Sequence, residues 1–112
     1  MAQLIYKICD KDLWQHARGD GLFKGAEIDL KDGFIHFSTA EQLAETASKH
    51  FSGRTNLVLL EIDGTGLNLQ WEVSRGGQLF PHFYDNLDIS HVTRIWPLTS
   101  DEDGNAILPD LR

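Results

Sequence analysis

The side chains best suited to chemistry fall in two short stretches and one turn. The first stretch is Phe34-Ile35-His36-Phe37-Ser38, where one imidazole interrupts an apolar run. Imidazole titrates near neutral pH, so His36 is a candidate ligand contact or acid–base group. The alternative is a core histidine hydrogen-bonded to a backbone carbonyl. Ser38 shares a strand side with His36, and it stands three residues before Glu41, the spacing of a capping box. It reads as a helix N-cap beside a ligand site, because the first N–H groups of a helix point outward unpaired. The second stretch is Leu79-Phe80-Pro81-His82-Phe83-Tyr84. In extended geometry Phe80, His82 and Tyr84 share a side, as an aromatic edge packed on the core or as a pocket wall for a planar ring. Glu72 lies on the polar face of an alternating segment, as a solvated carboxylate, a general base or a ribose contact. Arg75, followed by Gly76 and Gly77, makes either a plain turn or a phosphate contact with closely approaching backbone.

Other chemistries find less support. His36, His82 and Glu72 are metal-ligand types, but no HxH or HExxH spacing accompanies them, so no metal is expected. The single Cys9 excludes a thiolate-rich zinc site and an internal disulfide. There is no G-x-S-x-G turn, and the glycines match neither a P-loop nor a dinucleotide fingerprint. His16, His50 and His91 sit in polar or helical contexts and read as surface residues.

The surrounding pattern sets the elements that position these groups. Leu4 to Cys9 reads as a strand with Ile5, Lys7 and Cys9 on one face and Leu4, Tyr6 and Ile8 on the other. Asp10 is a possible cap for a short helix from Asp12 to Arg18. Gly19 to Lys31 reads as a long loop, of the kind that is often a lid. After Asp32-Gly33, Phe34 to Phe37 has the polar-bounded apolar look of a central strand. A helix follows from Thr39 or Ala40 to about His50, with Ala40, Leu43, Ala44, Ala47 and Phe51 on one stripe. Asn56 to Asp63 is the strongest strand, nearly continuous in apolar residues. Asn68 to Ser74 alternates as a further strand. Pro81 makes Leu79 to Tyr84 an edge or irregular segment. Ser90 to Leu98 is the last strand, stopped near Pro97, and the tail from Thr99 is expected to lie loosely on the surface. Together these give an α+β domain spanning 1–112, with some six short strands in a largely antiparallel, split sheet and two helices.

The totals agree with a globular protein. Hydrophobic residues make up 41% and charged residues 24%, which is not the composition of a disordered chain. A net charge of −7 argues against sequence-independent nucleic-acid binding, which needs a basic surface. No signal peptide or membrane-length apolar run is apparent, so the expected location is cytoplasmic.

Ile5 to Ile8, Trp14, Asp32 to Gln42, Trp71-Glu72 and Gly76 to Tyr84 together resemble a family of small bacterial proteins known as domain of unknown function 952. More remotely, the middle of the chain resembles the catalytic half of the RNA 2′-phosphotransferases in the ADP-ribosyltransferase superfamily. There a strand reading His-x-His-x-Ser precedes a helix, a strand rich in Val and Leu, and a Gly-containing turn. Phe34 to Ser38, Leu43 to His50, Leu57 to Asp63 and Ser74 to Gly77 follow that order. The likeness implies an ADP-ribosyltransferase-like split sheet and NAD as cofactor. By that likeness His36 contacts NAD and Ser38 shapes the nicotinamide side. Joined to the residue patterns above, this leads to the expectation of NAD or a related nucleotide in a cleft lined by His36, Ser38, Arg75, His82 and Tyr84, with His36 and, as the nearest candidate carboxylate, Glu72 as the catalytic residues of a transferase. The chain departs from the pattern at Phe34, where a first strand histidine would stand, and it has no late catalytic glutamate. Those departures favour an alternative: a non-catalytic module for another small metabolite or a protein partner. A third reading is a hydrolase or isomerase using His36 and His82 as an acid–base pair.

Overall fold

A computed structural model describes residues 3–111 apart from the Arg75 side chain. In chain order the elements are β1 (Leu4–Asp10), α1 (Lys11–Asp20), β2 (Leu22–Phe23), α2 (Glu27–Asp32), β3 (Ile35–His36), α3 (Leu43–His50), β4 (Leu57–Asp63), β5 (Gln70–Val73), β6 (Leu79–Phe83), β7 (Leu87–Asp88), β8 (Val92–Ser100) and β9 (Ala106–Ile107). Single 3₁₀ turns lie at Ala40–Gln42, Arg75–Gly77 and Ile89–His91.

The longest run of apolar residues makes the centre. β4 lies between β1 and β8 in a four-stranded antiparallel sheet of order β1-β4-β8-β9. Its alternate side chains feed two cores. Val58, Leu60 and Ile62 pack with Ile5, Cys9, Trp14, Phe23 and Phe37. Leu57 and Leu59 pack with Tyr6, Ile8, Leu43 and Ala47. A strand with both faces covered reads as continuously apolar. A second antiparallel sheet has the order β3-β6-β5, and a third pairs β2 with β7. Ser38 joins the first two sheets: its N–H and C=O both pair with Tyr6 of β1, at 2.9 and 2.8 Å.

The architecture is thus mixed helix and antiparallel sheet, with nine strands and three α-helices among the described residues rather than six strands and two helices. Several segments differ from expectation for identifiable reasons. Gly19 to Lys31 is not a structureless loop: it ends α1, forms β2 and enters α2. The α2 helix escaped notice because its apolar residues, Ile28 and Leu30, face solvent while Asp29 is buried. The Phe34–Phe37 segment is not a central strand; only two residues pair, at the edge of their sheet. Leu79–Phe83 is the middle strand rather than an edge. Pro81 pairs opposite Trp71 there, and its carbonyl still accepts from Phe37 at 3.0 Å. Pro97 does not stop β8 but pairs opposite Val58. The tail from Thr99 is not loose: it turns back as β9, and Leu108 and Leu111 pack on the core. Asp10 does not cap α1 with its side chain, which instead accepts from Arg54 at 2.8 Å.

The first sheet holds one buried carboxylate. Glu61 is 4% exposed. A register shift between β4 and β8 sets both Thr93 and Arg94 against it. Arg94 forks onto both oxygens at 3.0 and 2.6 Å, Thr93 Oγ1 donates at 2.7 Å, and the Tyr6 hydroxyl donates at 3.0 Å. The Arg94 fork, reinforced by the two hydroxyls, holds the Glu61 carboxyl well below its usual 4.5, at about 2. A folded pKa below the unfolded one gives stabilisation that is complete above about pH 4.5 and lost as pH falls toward 2. Denaturant unfolding between pH 7 and pH 2 should show that fall. Glu61→Gln should lower stability at pH 7 and flatten the acid limb; an unchanged acid limb in the variant would contradict the assignment.

Candidate functional site

The register of β3 on β6 sets His36 directly opposite His82, with ring centroids 5.2 Å apart. Phe34 packs on both, 4.5 Å from His36 and stacked 4.3 Å from His82, and it also meets Tyr84 at 5.0 Å. Phe34 thus forms an apolar brace for the two imidazoles.

Each imidazole is held by carboxylates. Asp29 Oδ1 lies 2.6 Å from His36 Nδ1, and Asp32 Oδ2 lies 3.0 Å from His36 Nε2. A carboxylate can only accept, so both contacts made together require a proton on each ring nitrogen. His82 Nδ1 donates to Glu72 Oε1 at 2.8 Å, which makes Nε2 the acceptor in the neutral ring. Tyr84 donates its hydroxyl to the same Glu72 oxygen at 2.6 Å. These bonds hold the Glu72 carboxyl below its ordinary range, the Tyr84 hydroxyl being the larger cause, and the carboxylate pushes the Tyr84 phenol up in turn.

Asp29 is the hub beneath His36. Its side chain is 1% exposed. It takes the Lys7 ammonium at 2.9 and 3.2 Å, the Ala26 N–H at 2.7 Å and the His36 N–H at 3.1 Å, besides the imidazole. Lys7 also donates to the His36 carbonyl at 2.9 Å. Burial pushes the Asp29 carboxyl up, but His36, Lys7 and the Ala26 N–H together outweigh it and leave its pKa lowered. Gly25 makes this packing possible: a Cβ there would lie 2.7 Å from the Asp29 Cβ, and its φ of 110° suits glycine alone.

These groups border a cleft of about 380 Å³, whose lining includes Tyr6, His36, Ser38, Phe80 and His82. That volume is within the range of small-molecule sites. His36, with its side chain 30% exposed, presents an edge to the cleft. Ser38 lines it too, but it is not the helix cap: its hydroxyl meets Thr46 Oγ1 at 2.9 Å. The cap lies one residue later, where the Gln42 side chain accepts from the Thr39 N–H at 3.0 Å. Glu72 and Tyr84 reach the cleft through His82, as supports behind it. The Arg75 side chain lies outside what the structure describes; its backbone forms the turn with Gly76 at φ 66° and Gly77 at φ 77°. His50 is exposed as expected but lines the cleft. Cys9 is buried, and burial pushes its thiol up to about 12, which makes it an inert core residue. Among the described residues no group of three or more His, Cys, Asp or Glu side chains is placed to hold a metal ion.

Sequence reasoning did not find Lys7, Asp29 or Asp32. One signal was present: Lys7 interrupts an otherwise apolar strand, and a buried ammonium needs a buried anion.

A family profile described as protein of unknown function (DUF952) matches residues 8–95. The crystal structure of protein CC0527 from Caulobacter crescentus is 48% identical over 94% of each chain, with a TM-score of 0.88. The solution NMR structure of CC0527 is 50% identical over 91% of this chain and 90% of that one, with a TM-score of 0.82. No curated protein matches.

The Lys7–Asp29 pair generates a direct test. Asp29→Asn leaves the buried ammonium without its anion and should cost about 3–5 kcal/mol in denaturant unfolding. Lys7→Met should also destabilise, and the double variant should lose clearly less than the sum of the two. Additive losses would show that the two groups do not act as a pair.

Proposed function

We propose that this chain, which belongs to the DUF952 family of proteins of unknown function, binds a small nucleotide-like ligand in the cleft bordered by His36 and His82, with NAD as the first candidate. The observation that carries the reading is the pair of imidazoles lining one cleft, 5.2 Å apart and each steadied by a carboxylate. Steadied rings suit recognition: their donors and acceptors are fixed before the ligand arrives. Phe80 adds an apolar surface for a planar ring, and Ser38 adds a hydroxyl. NAD is nominated by the likeness of the Phe34–Ser38 stretch to ADP-ribosyltransferases. In that reading His36 contacts the ligand's ribose, displacing Asp32 from Nε2. Glu72 acts through His82 rather than on the ligand.

A second reading follows from the same pair. His36 faces carboxylates at both nitrogens, which suits the donor form of the ring, and His82 with its Nδ1–H committed to Glu72 offers Nε2 as an acceptor. That is the arrangement of a general acid beside a general base. A bell-shaped rate profile that loses one limb in His36→Ala and the other in His82→Ala would establish it.

The binding reading is tested by following amide shifts of the labelled protein during titration with NAD, nicotinamide and ADP-ribose. Saturable shifts should gather around His36, Ser38 and His82. His36→Ala should abolish them while the rest of the spectrum stays dispersed. No shifts at millimolar ligand would sink the NAD assignment, and loss of dispersion in His36→Ala would return His36 to a core role.

A further inference from the structure

A second hollow of about 490 Å³ adjoins the cleft, and the two share Lys7, Ile8, Ile28, Phe51 and Arg54 as lining. The chambers differ in chemistry. The first has the imidazoles, Ser38 and Phe80. The second has Leu13 and Ala26 as apolar lining, with Asp10, Glu27 and Lys31 as its charged groups. Of the two cations at the shared boundary, Lys7 is buried and committed to Asp29 and the His36 carbonyl. Arg54 is the other, half exposed, with its guanidinium 5.0 Å over the Phe51 ring.

The geometry points to a two-part ligand site, in which the second chamber takes a second ring and its sugar and Arg54 holds an anionic bridge between the two parts. This rests on the nucleotide-binding reading and extends it to a dinucleotide joined by phosphates. Arg54 presents five N–H donors, and its present bond to Asp10 uses Nη2 at 2.8 Å. An ion pair that exposed contributes little, so a phosphate that accepts two parallel bonds displaces it readily. Phe51 holds the guanidinium plane by cation–π contact, which orients the fork without consuming its donors. Asp10, once released, and Glu27 become acceptors for a hydroxyl pair such as that of ribose. The chain's overall negative charge makes Arg54 a local feature rather than part of a basic surface.

The test compares calorimetric titrations of the wild-type chain and Arg54→Gln with three probes: NAD, ADP-ribose and nicotinamide riboside, the last lacking phosphate and the second ring. The wild type should bind NAD at least tenfold more tightly than the riboside. Arg54→Gln should weaken NAD and ADP-ribose about tenfold and leave the riboside unchanged, with amide spectra confirming an intact fold. Equal weakening of all three probes, or none, overturns the bridge while leaving ligand binding in place. A wild type that binds none of the three overturns the cleft reading and this extension together.

Discussion

The arrangement depends on burying one ammonium and one carboxylate together. Lys7 lies in the central sheet and Asp29 in a six-residue helix that could not hold together by its own propensity. Removing two charges from water is costly, and their attraction compensates only when geometry is good and every remaining lone pair is used. Here the carboxylate is used completely. It takes the ammonium, two backbone N–H groups and an imidazole. The pair therefore ties three pieces of chain, β1, α2 and β3, into one relation. It defines where His36 stands.

From that relation the rest of the cleft follows. His36 is fixed by Asp29, and strand pairing then fixes His82 opposite it. Glu72, on the neighbouring strand, turns His82 by its Nδ1, and Tyr84 steadies Glu72. Phe34 packs on both rings. The result is two imidazoles with unlike partners. One faces carboxylates at both nitrogens; the other is held at one nitrogen only. Environment makes two identical side chains into a donor and an acceptor. The second buried carboxylate, Glu61, serves the fold instead. It fastens β8 and, through Arg94 and the Leu111 carbonyl, the end of the chain.

The legible parts of the sequence were those governed by local pattern. Leu4 to Cys9 and Asn56 to Asp63 read correctly as strands because each is a short, mostly apolar run, and a strand covered on both faces needs no polar alternation. The grouping of His82 with Tyr84 followed from the alternation of side-chain direction along a strand, and both meet Glu72. What failed depended on distant partners. The α2 helix has no apolar stripe, since its inward residue is Asp29. Pro81 suggested an edge and Pro97 a stop, yet each pairs within its strand, opposite Trp71 and Val58. Ser38 matched a capping spacing, but its backbone bonds to Tyr6 move the cap to Thr39. Lys7 was visible as an anomaly, and only three-dimensional proximity names Asp29 as its answer.

The central claim is that the two braced imidazoles form a ligand-binding floor. Nitrogen-15 spectra of the His36 and His82 rings, recorded with and without saturating NAD, test it most directly. The account predicts a proton on His82 Nδ1, where Glu72 accepts, and predicts that ligand moves the Nε2 signals of both rings while the Nδ1 signals hold. Ring signals that stay fixed while NAD is shown to bind elsewhere would contradict it.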